Sequence, residues 1–496
     1  MFAHPRSLAL LLSAGILTGC AVGPDYRSPE IALSPTFLGQ QGVDHRPAQR
    51  QAELTTWWAA FDDPLLTRFI TQALDQNLDI AQAVARVAQS RAGLRYADAT
   101  LLPAANLSAS AARAYQSLET PLAQVLNANP GFERSGSLYE ANVGASWEID
   151  LFGGLRRRQE AARAAYEASE AGAVATRLAV AAQTADVYVT VRGLQARIAI
   201  ARQQADTRRQ LLAMVRLQYE KGVAAELQMN QAEGSLTQAE AQIPVLEAGL
   251  DAAMNALDVL LGVPPGTYRG ELAAAMPVPV APGLAASATP AELIRRRPDL
   301  IAAERRLATA NARIGVAIAE YYPKFSLAGL LGSATAIASG NLFTGAASQA
   351  QGVLGLRWRL FDFGRVDAQI AAARGQEAEA LAAYRLAVLR AAEDVENAFS
   401  ALVKREAQLG ILTRGEASLA RARANSFAAY QGGIVSLIEV LDADSKLLEV
   451  RDGKAQAQTE AARAAIASFR ALGGGWNASG ASREHLSDKL STNNHR

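Results

Sequence analysis

The chain says the same thing twice. Trp147, Phe152, Gly153, Tyr219, Gly222, Ala232, Leu261 and Gly262 recur as Trp358, Phe363, Gly364, Tyr430, Gly433, Ala443, Leu472 and Gly473, each 211 residues later. Pro103 answers to Pro323, which is 220 residues on, so an indel of 9 residues lies between Pro103 and Trp147, in a loop that can absorb it. A duplicated unit of this length predicts a pseudo-symmetric architecture whose function lies in its shape.

The first twenty residues hold Arg6, the apolar run Leu8 to Leu17 and then Leu17-Thr18-Gly19-Cys20. This predicts a secretion signal over residues 1–19. Its end resembles the lipobox of bacterial lipoproteins, which implies a lipid on Cys20; the alternative is an ordinary signal with an incidental cysteine. Cys20 is the only cysteine, so a disulfide within the chain is excluded. Ala21 in the next position implies, by resemblance to lipoprotein sorting, the outer membrane. Lys plus Arg number 49 against 48 Asp plus Glu, which gives no field for nucleic acid. After the signal no run of 18 apolar residues occurs, so an exported chain bound for a membrane must cross it with strands or be anchored to it.

Residues 20–54 read as an extended lead. Repeat 1 spans 55–262, a connector rich in proline spans 263–288, repeat 2 spans 289–473, and the polar tail 474–496 is expected to be disordered. Within repeat 1, Tyr139, Ala141, Val143, Ala145, Trp147, Ile149 and Leu151 alternate with polar or small residues, a period of two that predicts a strand with one oily and one wet face. Asn106 to Tyr115 is its weaker partner. In repeat 2 the pattern is Leu354, Leu356, Trp358 and Leu360, opposite a strand around Phe325 to Leu331. Hairpins are thus expected within 104–152 and 324–363, and strands near ten residues with this alternation suit a membrane β-barrel. A soluble hairpin packed on helices is the alternative.

Long stretches rich in helix formers follow each hairpin. Leu155 to Tyr219 is 65 residues, about 98 Å of helix. Shorter helices over 62–102 and 227–262 together slightly exceed it in length, so they could flank it end to end, and repeat 2 offers 289–320, 365–430 and 437–472 in the same way. Antiparallel coiled-coil packing is expected. Tyr219-x-x-Gly222 and Tyr430-x-x-Gly433 interrupt the long stretches where glycine allows a left-handed helix terminus. Thr289-Pro290-Ala291-Glu292 predicts a capped helix start.

Cys20-Ala-Val-Gly23-Pro24-Asp25-Tyr26, Trp57-Trp58 with Asp63-Pro64, Asp150-Leu-Phe-Gly153, Phe361-Asp-Phe-Gly364 and Leu472-Gly-Gly-Gly475-Trp476 resemble the TolC-like outer-membrane efflux factors, in the NodT-type lipoprotein branch. The resemblance covers residues 20 to 476. It implies a mainly α fold with a membrane β-barrel: a homotrimer whose chains each give four strands to a shared 12-stranded barrel, with long helices forming a periplasmic tunnel. It implies partnership with a periplasmic adaptor and an inner-membrane resistance-nodulation-division pump. Four strands cannot close alone, which fits an oligomer independently.

No phosphate loop, zinc-protease motif or EF-hand occurs, and the four histidines lie at 4, 45, 485 and 495, so neither an enzyme nor a cofactor is expected. Glu439 and Asp442 share a helix face just after the second glycine turn. Were that turn a periplasmic tip, three chains would bring six carboxylates round one axis, a cation-attracting gate that matches the family's tip aspartates and would raise some pKa values. Ser436-x-x-Glu439 also reads as a capping box. Tyr430 matches the family's tip tyrosine, whereas the frequent tip arginine is Val435 here. Tyr219, Gly222, Tyr430 and Gly433 are candidates for adaptor docking, with plain turn chemistry as the alternative. Trp147 and Trp358 are candidates for a membrane aromatic girdle, with core packing as the alternative. The function expected is an outer-membrane exit duct for drugs or other small molecules. A type I protein-secretion partner and an envelope-tethering lipoprotein without a pore are the other readings.

Overall fold

A computed structural model describes residues 21–32, 34–46, 52–284 and 289–477. Cys20, the signal segment 1–19 and most of the polar tail lie outside the described residues. The two sequence repeats do not form the two compact units. One unit takes the described residues of Met1–Pro29 with Gln89–Glu167 and Glu304–Ala382, and the other takes those of Glu30–Ala88, Ala168–Ala303 and Ala383–Arg496. Each unit therefore draws on both repeats.

Four strands lie in the first unit: β1 Ala104–Tyr115, β2 Ser135–Ile149, β3 Lys324–Thr335 and β4 Ser348–Arg357. They form one antiparallel sheet in the order β1-β2-β3-β4. The hairpins of the two repeats are thus joined by direct pairing of β2 with β3, in a register that sets Val143 opposite Leu331 and Trp147 opposite Leu327. Hairpin registers repeat with the sequence offsets: Leu107 faces Val143, and their counterparts Leu327 and Leu354 face one another.

Trp358 and Leu360 were expected on β4, yet the strand ends at Arg357. The β3–β4 register would put Trp358 opposite Pro323, which has no N–H to give. Trp147 meets the same problem at Pro103, but β2 is paired on its other side by β3 and so continues to Ile149. The other side of β4 has no partner among the described residues.

Among the described residues seven long helices carry most of the rest: α1 Pro64–Gln76, α2 Leu78–Ala99, α3 Gly154–Glu220, α4 Glu226–Leu260, α5 Pro298–Ala319, α6 Arg365–Gln431 and α7 Leu437–Ala471. The continuous helices expected over 62–102 and 289–320 are each broken once, at positions 220 residues apart. Asn77 sits between α1 and α2, where its Oδ1 accepts from the N–H groups of Asp79 and Ile80 and its Nδ2 donates to Leu260 O. Arg297 separates a short helix, Pro290–Arg296, from α5, and its guanidinium donates to Ala471 O, the counterpart of Leu260 O. A side-chain cap at Asn77 and a following proline at Arg297 end the helices locally. The same two side chains fasten the ends of α4 and α7. The Thr289–Glu292 capping box is formed.

The second unit's core gathers around the sequence motif at 57–64. Trp57 is 1% exposed and stacks on Phe469 at 5.3 Å. Asp63 caps α1 by accepting from the N–H groups of Leu65 and Leu66, and its other oxygen accepts the Tyr188 hydroxyl at 2.8 Å. Burial pushes the Tyr188 phenol up to about 12, with Arg192 opposing and Asp63 reinforcing the shift. The unfolded phenol ionises near pH ~10. This contribution to stability is therefore complete below about pH 10 and is lost as pH rises through about 12. Tyr188→Phe is expected to flatten that part of a stability-versus-pH curve; an unchanged curve would assign the alkaline limb to other groups.

Candidate functional site

The sheet is the first candidate site. Its registers collect the odd-numbered residues of β1, β2 and β3 and the even-numbered residues of β4 on one face: Leu107, Val143, Leu331 and Leu354 lie there with Trp147, Leu327 and several alanines. The opposite face carries Asn106, Ser108, Glu140, Asn142, Ser326 and Gln351. On it, Gln349 Nε2 donates to Asn142 Oδ1 at 2.8 Å. Among the described residues the apolar face is covered only at its far end, where Ser333 and Thr335 are buried and the Ser333 hydroxyl donates to Leu342 O. Every residue of β1 is exposed, Leu107 is 77% exposed and Leu331 68%. A sheet in water buries one face, and this one leaves most of both exposed. Among the described residues the outer edges of β1 and β4 are also unpaired.

Trp147 and Trp358 stand at equivalent places beside the helix-side end of the sheet. Each indole N–H donates at 2.9 Å to a backbone carbonyl, Leu101 O and Tyr321 O, and these acceptors are themselves 220 residues apart. Both rings remain partly exposed. They are neither core residues nor free, because each ties a strand end to the turn that precedes its hairpin.

The helix ends at Gly222 and Gly433 are the second candidate site, in the other unit. Both glycines have positive φ, +74° and +71°. In each, the next residue's N–H reaches back to close the last turn: Val223 to Gln218 O and Ile434 to Ala429 O. This is the Schellman closure. A Cβ at either glycine would meet nothing within 4 Å, so only the backbone conformation demands glycine. Tyr219 and Tyr430 are partly exposed beside these turns.

The capping box expected at Ser436–Glu439 is not formed. Ser436 is the N-cap of α7, but its side chain makes no capping bond. The Glu439 and Asp442 side chains are both exposed. Asp442 pairs with Lys446 one turn on, at 2.8 Å, a partner readable in the sequence as an i,i+4 pair. Asp444, two residues further in the same stretch, carries no expected role from sequence. It accepts from Thr207 Oγ1 on α3 at 2.8 Å and lies 3.4 Å from Arg423 on α6. Below it, Arg197 of α3 forks onto Asp452, and Arg451 and Lys454 of α7 hold Glu416 of α6, keeping that carboxyl below its usual range. The helix α4, in contrast, pairs with α3 through Glu240 and Glu247. Such cross-helix partners leave no periodic trace in one sequence.

A sheet with one apolar and one polar face, both largely exposed, fits a membrane protein that crosses the bilayer by strands. The chain belongs to the outer membrane efflux protein family, whose model matches residues 69–263 and 289–474, one match to each repeat. It is 31% identical over 481 residues to the pyoverdine export outer membrane protein OpmQ of Pseudomonas putida, covering 97% of this chain and 99% of that one. It is 30% identical over 487 residues to the probable outer membrane lipoprotein SilC of Salmonella typhimurium, covering 93% and 97%. The solved outer-membrane channel OprN superposes with a TM-score of 0.81 at 32% identity, over 92% of this chain and 100% of the other. This is an outer-membrane efflux protein, and its relatives are channel proteins rather than enzymes.

Proposed function

We propose that the chain is the exit duct of a tripartite pump: a lipid-anchored homotrimer whose sheets close into one 12-stranded barrel, passing small molecules delivered by an inner-membrane pump through a periplasmic adaptor. The observation that carries this reading is the unsupported sheet. One face suits lipid and the other suits water, and two open edges cannot persist in a bilayer, where every backbone group needs a partner. A strut without a pore has no use for such a sheet. The relatives' export and lipoprotein descriptions support the duct and the anchor on Cys20.

Internal symmetry supplies the missing seam. Where β2 meets β3, Val143 faces Leu331. Carrying the first residue forward by 211 and the second back by 220 sets Leu354 of β4 opposite Ala111 of the partner subunit's β1. Both lie on the apolar face, so the two faces stay continuous across the seam. The same translation gives Trp358 and Leu360 of β4 a partner, which would extend that strand as its alternation predicts. Ala111→Cys with Leu354→Cys, and Ala112→Cys with Val353→Cys on the other face, are expected to cross-link copies on oxidation. One pair from each face is needed because the faces alternate in hydrogen bonding. Monomers from both pairs would sink the seam.

The glycine turns are the proposed adaptor-contacting tips, with Tyr219 and Tyr430 beside them. Glu439 and Asp442 are the proposed gate carboxylates, with Tyr430 nearby in sequence; Lys446 offsets part of the charge at Asp442. Purified protein in planar bilayers is expected to give cation-selective channels of low conductance, and Asp442→Ala with Glu439→Ala to weaken cation selectivity and raise the open probability. Unchanged selectivity and gating would remove the gate; no channels under any condition would favour the strut.

A further inference from the structure

The Gly23-Pro24-Asp25-Tyr26 motif is not used by the duct or the gate, yet each of its residues except the proline has a partner in the first unit. Val22 N–H donates to Phe152 O at 3.0 Å, in the elbow where β2 turns into α3. Arg157, in the first turn of α3 and 4% exposed, donates to Val22 O at 3.0 Å and Gly23 O at 3.1 Å. It also reaches the Asp25 carboxylate at 2.7 Å. Tyr26 donates its hydroxyl to Glu304 at 3.0 Å, and Arg305 lies over its ring.

Glycines make this approach possible. A Cβ at Gly153 would lie 2.6 Å from Ala21 Cα, one at Gly23 2.5 Å from Gly315 Cα, and one at Gly315 2.7 Å from Arg157 Cγ. Gly23 has φ +93°, which turns the chain across α5. The repeat makes an internal control. Gly364, the counterpart of Gly153, has nothing within 4 Å, and Phe363 beside it is 97% exposed. Of two equivalent elbows, only the first is covered among the described residues, and residues 21–26 cover it.

We infer that Arg157 and the glycine contacts form a built-in dock for the mature N-terminus, which holds the lipid attachment point at the β2–α3 elbow and so sets the seating of the sheet against the membrane. The inference rests on the proposed lipidation of Cys20. One peptide unit, about 3.8 Å, separates that residue from Ala21, so a docked strap leaves the anchor no free tether. Arg157 is a positioning residue. Its grip comes from a buried guanidinium on two carbonyls. The Asp25 side chain is 87% exposed, so that ion pair contributes little.

The test uses the full lipidated chain in outer membranes. Trypsin cutting after Arg27 releases palmitate label from the body of the chain. Arg157→Gln is expected to speed that release at least tenfold, with labelling and trimer content unchanged, and Asp25→Asn less than threefold. A second variant inserts Ala followed by ten Gly/Ser residues between Cys20 and Ala21, leaving the dock intact and the sorting position as Ala. It is expected to keep the slow release at Arg27 but to yield several-fold fewer inserted channels. Equal cleavage in the parent protein and Arg157→Gln overturns the dock. Parental channel insertion in the spacer variant overturns its seating role. Absence of palmitate from the parent protein overturns the anchor, while the cleavage comparison, followed by mass, still reads the dock by itself.

Discussion

Gly262→Ala is expected to destabilise the protein by about 3 kcal/mol, whereas Gly222→Ala costs about 1 kcal/mol, although both glycines close a helix with nearly the same φ, +72° and +74°. The left-handed conformation strains any L side chain by a similar amount at both sites. They differ in what surrounds them. A Cβ at Gly262 would lie 2.6 Å from the backbone oxygen of Gln76, where α1 ends, and backbone cannot move aside as a side-chain tip can. At Gly222 it would enter open space. Thermal unfolding of the detergent-extracted variants checks this, and equal losses would mean that backbone conformation alone selects glycine at both helix ends.

A single arginine on the sheet is expected to decide insertion according to parity. Leu107→Arg places charge on the apolar face and should cost about 2–4 kcal/mol if the residue lies near mid-bilayer, depleting the protein from the outer-membrane fraction. Ser108→Arg, one residue on, points to the opposite face and should insert normally while reducing cation selectivity. Both positions are exposed in the isolated chain, so packing within the chain penalises neither. Equal insertion of the two variants would contradict the assignment of lipid and water faces; opposite outcomes would support it without reference to the seam or the gate.

The local devices were legible because each acts over a few residues. Period-two alternation marked β2, the long uninterrupted helix formers marked α3 and α6, and glycine after tyrosine marked the helix ends. Even the offsets of 220 and 211 were in the letters, and together they relate the two hairpin registers. The breaks at Asn77 and Arg297 were missed although their cues were present, since helix propensity over the whole stretch outweighed one cap and one proline. The capping box at Ser436 failed in the other direction. Its spacing is right, yet the Ser436 side chain makes no capping bond, because spacing permits a cap without fixing the rotamer that forms it.

The sequence by itself determined what is periodic or repeated: the duplication, the kinds of element, their lengths and the alternation that makes a sheet two-faced. Only the tertiary structure decided which distant groups meet. It joined β2 to β3 and left two edges open, brought Asp444 to Thr207 and Arg423, and laid Ala21–Tyr26 on one elbow of two. The physical reason is one of range. Propensity and periodicity act along the chain within a turn or two, whereas pairing, burial and ion pairing depend on groups hundreds of residues away, whose positions follow only when the whole chain has packed.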